Sequence, residues 1–157
     1  MPTICILYYS KSGNTKAVAE EFKLALETAI EAKKRDVQVE LCPAQDLVAT
    51  GAALPFGPLK DKDAFIFGSP DFFSDVAGYL KIFFDDWWET RATFKNRPAA
   101  GFVSHGGVGK AKKALERLCT SFNFDYIKPT ISVKGKPDQK AIKQIKQCAE
   151  QLLALVK

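Results

Sequence analysis

The chain has 157 residues, of which 46% are hydrophobic and 26% are charged. These proportions are typical of a globular protein and the length is sufficient for one hydrophobic core, so we expect a single domain over residues 1–157. No run of about twenty uncharged apolar residues is present, which predicts no membrane span and a soluble, cytoplasmic protein.

The cysteines, the histidine and the net charge indicate which metal sites and partners are to be expected. The four cysteines are scattered without a Cys-x-x-Cys pair, and we interpret them as small core residues. The single histidine, His105, has no cysteine near it in sequence, so we expect no metal site. The net charge is +5, with an acidic first ninety residues and a basic remainder. We interpret the lysines of the later helices as solvated faces and expect no nucleic-acid partner.

Strand-like and helix-like segments alternate along the chain. Residues 3–9 form an apolar run typical of a strand covered on both faces, and the apolar spacing from Gly13 predicts a helix that ends near residues 33–35. The next predicted elements are an edge strand ending at Cys42 and Pro43, a strand over 64–68, a helix over 76–87, a strand over 99–104, a helix over 110–122, a strand over 127–133 and a helix over 142–156. This alternation predicts a parallel sheet with helices on both faces.

Three loops are the candidate ligand site. Ligands of an open parallel sheet bind beyond the carboxyl ends of its strands, where the strand order reverses. The loops at that position are residues 10–15 after the first strand, residues 69–75 after the third and residues 104–109 after the fourth.

The first loop has the composition of an anion site. A strand-to-helix junction exposes backbone N–H groups, and the hydroxyls of Ser10, Ser12 and Thr15 can donate to phosphate oxygens. Ordinary capping of the helix by Ser12 or Asn14 is the alternative, but the number of donors favours phosphate. The candidate cofactor-binding residues of this loop are Ser10, Lys11, Ser12, Gly13, Asn14 and Thr15.

The motif Ser-x-Ser-Gly-Asn-Thr after an apolar first strand resembles the phosphate loop of flavodoxins and related FMN proteins. The resemblance covers essentially the whole chain and implies noncovalently bound FMN. It also implies a doubly wound α/β fold with five parallel strands in the order 2-1-3-4-5, helices on both faces and no insertion in the fifth strand. The dinucleotide motif Gly-x-Gly-x-x-Gly and the Walker-type Gly-Lys-Ser/Thr ending are absent after the first strand.

The second loop places two aromatic residues close to a proline. The resemblance implies that this loop lies beside the flavin, whose ring needs apolar or aromatic faces and backbone hydrogen bonds at its polar edge. We expect either Phe72 or Phe73 to face the flavin, while entry into the core is an equally good interpretation for each ring alone. The candidate cofactor-binding residues of this loop are Ser69, Pro70, Asp71, Phe72 and Phe73.

The third loop combines the only histidine with two glycines. Gly106 and Gly107 permit close approach of the backbone to a ring. The His-Gly-Gly sequence resembles FMN-dependent NAD(P)H:quinone reductases of the same superfamily, which implies a catalytic role for His105; a hydrogen-bonding loop residue without a redox role is the alternative. The candidate residues of this loop are Ser104, His105, Gly106 and Gly107.

Three functions fit this site. The resemblance implies an FMN electron carrier serving redox protein partners. The alternative is an NAD(P)H:quinone oxidoreductase with a small quinone-type acceptor, and the third is a noncatalytic FMN-binding module. We favour the carrier because quinone reductases of this type usually contain insertions that this chain lacks. Trp88 lies off the helical stripe that includes Trp87, which predicts either a homo-oligomer contact or a cover for the sheet edge.

Overall fold

A computed structural model describes residues 1–157. Its strands are β1 (Thr3–Tyr8), β2 (Gln38–Pro43), β3 (Ala64–Pro70), β4 (Pro98–His105), β5 (Asp125–Tyr126) and β6 (Ile131–Lys134). Its α-helices are α1 (Asn14–Ala32), α2 (Ala44–Val48), α3 (Gly78–Asp86), α4 (Ala111–Ser121) and α5 (Gln139–Leu155). Two 3₁₀-helices cover Gly57–Asp61 and Arg91–Phe94.

The strands form one parallel sheet in the order β2-β1-β3-β4-β5, and β6 also pairs with β4. β5 lies beside the start of β4, where Tyr126 pairs with Ala99, and β6 lies beside its end, where Ile131 pairs with Phe102. The two short strands therefore share the fifth position. The predicted doubly wound order is confirmed.

The prediction of one continuous fifth strand over 127–133 is wrong, because the chain leaves the ladder after Ile127, whose N–H still donates to the Ala99 carbonyl on β4 at 2.8 Å. Pro129 has no N–H to donate to a neighbouring strand. The N–H of Thr130 donates to the Glu116 carboxylate at 3.1 Å, and its hydroxyl pairs with the Tyr126 hydroxyl at 2.6 Å. Side chains thus satisfy the polar groups that the sheet does not.

Alternation along the strands produces two cores. Successive strand residues point to opposite faces. On β1, Ile4 and Ile6 pack with α1 and α5, whereas Cys5 and Leu7 pack with α3 and α4. Helices therefore cover both faces, as the sequence predicts.

Phenylalanine dominates the core on the α3 and α4 side. Eight of the twelve phenylalanines lie there: Phe56, Phe65, Phe67, Phe83, Phe84, Phe94, Phe122 and Phe124. On the opposite face, a Cβ added at Gly68 would lie 2.1 Å from the ring of its strand neighbour Phe102. The absence of a side chain at position 68 is therefore what admits the Phe102 ring.

The helices differ from the predicted spans in two places. The helix predicted over 76–87 begins only at Gly78, since the backbone of Ala77 is extended, with ψ 143°, and its N–H donates to the Ser69 hydroxyl at 2.8 Å. The crossover from β2 to β3 contains α2, whose five residues are too few to show helical periodicity in the sequence. None of the helices is long and apolar enough to cross a membrane.

The two tryptophans occupy different environments at the end of α3. Trp87 is buried, and its indole N–H donates to the Phe56 carbonyl at 3.2 Å. Trp88 is 51% exposed, and the Arg91 guanidinium lies 3.9 Å from its ring centroid. Part of the Trp88 ring is thus covered from within the chain, while a contact with a second copy stays a prediction.

Candidate functional site

Hydrogen bonds tie the three predicted loops together at the carboxyl end of the sheet. β1, β3 and β4 are neighbours, so the loops that follow them begin side by side. The hydroxyls of Thr15 and Ser104 lie 2.6 Å apart, and the Asp71 N–H donates to the Ser104 carbonyl at 2.9 Å. Ser104 therefore links the first loop to the second, although it belongs to neither.

The first loop presents unpaired N–H groups at the start of α1. The Ser10 hydroxyl accepts from the N–H groups of Gly13 and Lys16, at 3.1 and 3.2 Å, and Gly13 has φ +99°. No protein acceptor takes a hydrogen bond from the remaining N–H groups of the turn, which belong to Lys11, Ser12, Asn14 and Thr15. Together with the positive end of a 19-residue helix, they suit a bound anion.

Thr15 contributes to this loop differently from the prediction. Its side chain is 2% exposed and its hydroxyl is paired with Ser104. Its N–H, rather than its hydroxyl, is the group left without a partner. Ser10 likewise shapes the loop through its hydroxyl, whereas Lys11 and Ser12 are exposed.

The second loop is a tight hairpin held by its own polar groups. Phe72 and Asp75 exchange two backbone hydrogen bonds of 3.0 Å, and the Asp71 carboxylate accepts from the Ser74 N–H at 2.8 Å. The two central residues, Phe73 and Ser74, have φ of +56° and +62°. Positive φ at both positions is the pattern of a type I′ turn, which strongly favours Asn and Gly over a bulky residue.

The base of the second loop is buried and polar. Ser69 is fully buried, and its hydroxyl accepts from the Ala77 N–H at 2.8 Å and donates to the Pro70 carbonyl at 2.7 Å. This pair of bonds fixes where the hairpin leaves β3 and returns to α3. The hairpin tip, with its two positive φ angles, therefore follows a segment whose buried polar groups are hydrogen-bonded, as expected where a loop must hold one conformation.

Neither aromatic residue of the hairpin enters the core. Phe73 is fully exposed, and Phe72 is half-buried with its ring 6.2 Å from that of Tyr9 in an edge-to-face contact. Tyr9 in turn stacks on Tyr79 at 4.9 Å and 19°. Which phenylalanine faces a flavin stays a prediction, but an aromatic cluster borders the loops.

Sequence reasoning missed Tyr9, Tyr79 and Gln45 as neighbours of the site. Tyr9 follows β1 directly and precedes Ser10, a position that could have drawn attention to it. Tyr79 lies in the first turn of α3, and its pairing with Tyr9 depends on the tertiary fold. The Gln45 amide lies 3.4 Å from the Ser10 carbonyl and comes from the unpredicted helix α2.

The third loop fixes the His105 ring at both nitrogens. Nδ1 lies 3.0 Å from the Gly107 carbonyl, and Nε2 lies 2.8 Å from the Ser132 hydroxyl. Because a carbonyl only accepts, Nδ1 carries the proton of the neutral ring and Nε2 accepts from Ser132. Ser132 lies on β6, and no pattern in the sequence indicates this contact.

The glycines of the third loop have different surroundings. Gly109 has φ +70°, and a Cβ there would lie 2.5 Å from the Ser132 hydroxyl. A Cβ at Gly106 or Gly107 would meet no atom within 4 Å. The loop is therefore packed tightly at Gly109 and open at the position predicted for the flavin edge.

These features fit FMN. The unpaired N–H groups suit its phosphate, the aromatic cluster suits a flat ring, and the open glycine backbone leaves room at a polar edge. Bound FMN would supply reversible electron transfer, and the loops would orient it. No group of three or more His, Cys, Asp or Glu side chains lies close enough together to hold a metal ion.

Solved structures with the same fold include several redox proteins. A flavodoxin from the domain Archaea is 22% identical, with 98% of each chain covered and a TM-score of 0.78. An oxidoreductase from Corynebacterium diphtheriae is 18% identical, with coverage of 99% of this chain and 97% of that one and a TM-score of 0.83. A flavodoxin, WrbA-like protein from Agrobacterium tumefaciens is 15% identical, with coverage of 99% and 98% and a TM-score of 0.75.

Sequence comparison identifies the family. No match was found among curated proteins. The profile of the family described as NADPH-dependent FMN reductase matches residues 3–129, which include all three loops. The chain therefore belongs to the NADPH-dependent FMN reductase family and is an FMN-binding flavoprotein with the flavodoxin-like fold.

Proposed function

We propose that the protein holds FMN across the three loops and acts as an electron carrier for redox protein partners. The observation that carries this proposal is the state of His105, whose two ring nitrogens are both engaged within the chain. A general acid must be within reach of the group that it protonates. A ring held by Gly107 and Ser132 positions the loop and has no free nitrogen to offer an acceptor.

Exposed apolar side chains support docking of a protein partner at the same edge. Phe73 is fully exposed and Val108 is 80% exposed, and they belong to the second and third loops. Apolar groups at the rim of a redox site suit transient contact with another protein. Cofactor binding is proposed for the loop residues identified from the sequence, with Thr15 acting through its N–H.

An NAD(P)H:quinone oxidoreductase is the second candidate. The family description favours it, because it names NADPH as the reductant. A cavity of about 250 Å³ beside His105 is lined by Lys134 and Lys140, together with Asp138, and the two lysines would suit the phosphates of NAD(P)H.

Affinity for FMN and riboflavin tests the phosphate loop. We expect riboflavin to bind at least about 100-fold more weakly, because the charge-assisted bonds to phosphate contribute roughly 1.5 to 3 kcal/mol each. Lys11→Gln should weaken FMN a few-fold and leave riboflavin unchanged. Lys33→Gln is the matched control, since Lys33 lies at the far end of α1, beyond the screening length of about 8 Å. Equal affinity for both flavins would contradict the assignment.

Turnover separates carrier from enzyme. FMN-loaded protein is mixed with NADH or NADPH and benzoquinone, and the dithionite-reduced protein is mixed with ferricyanide as a one-electron acceptor. The carrier predicts no pyridine-nucleotide oxidation above that of free FMN, and rapid ferricyanide reduction in both wild type and His105→Asn. Steady-state quinone reduction that drops about 100-fold in His105→Asn, with FMN retained, would establish the enzyme instead.

A further inference from the structure

Two cysteines that lie far apart in sequence come into contact away from the flavin site. Cys5 on β1 is fully buried and Cys42 on β2 is half-buried, and their sulfur atoms are 3.2 Å apart. The other two cysteines, Cys119 and Cys148, are buried without a thiol partner. Cys5 lies in the core, as predicted, and Cys42 packs against that core, but the contact between the two thiols was not predicted from the sequence.

The surroundings make the two thiols unequal. The S–H of Cys5 donates to the Cys42 sulfur, and this bond lowers the pKa of Cys42. The positive charge of Lys62 also lowers that pKa, while burial and the Glu40 carboxylate raise it, and the net shift is downward. The same contact, together with complete burial, raises the pKa of Cys5 well above its usual value. Cys42 is thus the thiol that ionises first, and Cys5 keeps its proton beside it.

We propose that Cys42 and Cys5 form a peroxide-reactive dithiol site. The Cys42 thiolate attacks one oxygen of hydrogen peroxide, the O–O bond breaks, and hydroxide leaves to be protonated to water. Cys42 is then a sulfenic acid. The Cys5 sulfur gives up its proton and attacks the Cys42 sulfur, so that the S–O bond breaks, a second water leaves and a disulfide forms. Two thiols lose two electrons in total, and one peroxide gains them.

The register of the strands shapes the product. β1 pairs Cys5 with Glu40 and Leu7 with Cys42, so the two cysteines are diagonal neighbours on one face. A disulfide requires the two sulfur atoms, which lie 3.2 Å apart, to approach to about 2.05 Å. β2 is an edge strand bonded only to β1, so it can move to close the bridge. Because Cys42 is only half-buried on this edge strand, the bond is open to exchange with a thiol such as glutathione.

The test follows oxidation of the full-length protein by mass spectrometry. Protein treated with one equivalent of hydrogen peroxide should lose two hydrogens and yield a peptide pair linked through Cys5 and Cys42. Cys148 is the internal control, since burial raises its pKa to about 12. We expect Cys42 to be oxidised at least ten times faster than Cys148. Glutathione should then restore both thiols.

Variants separate the two steps. In Cys5→Ala the Cys42 sulfenic acid has no resolving thiol and should be trapped by a 1,3-diketone reagent, whereas in wild type it should not accumulate. Cys42→Ser should abolish the linked peptides. Oxidation of Cys42 no faster than that of Cys148 in wild type would overturn the proposal, as would trapping of sulfenic acid in wild type without a disulfide. The wild-type measurement decides even where a variant fails to fold.

Discussion

Replacing Thr15 with valine removes one of the two buried hydroxyls that connect the first and third loops. Thr15 is 2% exposed, Ser104 is 3% exposed, and their oxygens lie 2.6 Å apart with no other side-chain partner. The valine variant leaves the Ser104 hydroxyl buried and unpaired, at a cost of about 1–3 kcal/mol in the free energy of unfolding. Ser104→Ala should lower the free energy of unfolding by a similar amount, because the Thr15 hydroxyl is then buried without a partner.

The double variant tests whether the two hydroxyls act as a pair. When both hydroxyls are gone no buried group is left unpaired, so Thr15→Val/Ser104→Ala should cost less than the sum of the two single changes, by about 0.5–3 kcal/mol. Urea denaturation of all three variants without FMN measures these free energies. Ser121→Ala, which removes an exposed hydroxyl at the end of α4, is the control and should stay within about 0.5 kcal/mol of wild type. Strictly additive single changes, or single changes without cost, would refute the coupling.

Three further predictions concern stability. Gly109→Ala should destabilise the protein by about 1–3 kcal/mol, since φ is +70° and the new Cβ would lie 2.5 Å from the Ser132 hydroxyl. Gly106→Ala has open space around it and should change the free energy of unfolding by less than about 1 kcal/mol in the same urea assay. Phe73→Asn should stabilise the protein by about 0.5–1 kcal/mol, because asparagine tolerates the positive φ of the hairpin tip and Phe73 buries nothing; an unchanged midpoint would contradict the strain argument. Burial raises the pKa of Tyr126 far above its usual value, so the folded protein keeps the phenol proton while the unfolded chain releases it at about pH 10. The contribution of Tyr126 to the free energy of unfolding is therefore fully present below about pH 10 and falls as the pH rises above it. Tyr126→Phe should make the decrease in the free energy of unfolding at alkaline pH less steep.

Much of the fold could be predicted from the sequence, because its signals are local. The apolar run of β1 and the helical spacing after Gly13 each depend on neighbouring residues only. Parallel alternation then fixes the edge at which the loops meet. Pro129 also indicates that the fifth strand is interrupted, since proline cannot donate a hydrogen bond to a neighbouring strand. The β-branched residues around Pro129 favour a strand, and for that reason a continuous strand was predicted.

The contacts between loops could not be predicted in the same way. Thr15 and Ser104 are 89 positions apart, and the bond between them depends on two side-chain rotamers at the ends of different strands. The contact of His105 with Ser132 depends in turn on where β6 begins after the interruption. Cys5 and Cys42 meet only because the strand register offsets them by two residues. Such contacts follow from tertiary geometry, which composition and spacing do not encode.

Gly68 and Phe102 constrain how the family can vary. A methyl group at position 68 needs the space of the Phe102 ring, and that ring also stacks on Phe22 at 5.4 Å. Relatives that carry a side chain at position 68 should therefore carry a smaller residue at position 102 and a larger one on the first helix to refill the volume. Substitution at any one of these positions alone would be selected against, so the three should change together over evolutionary time.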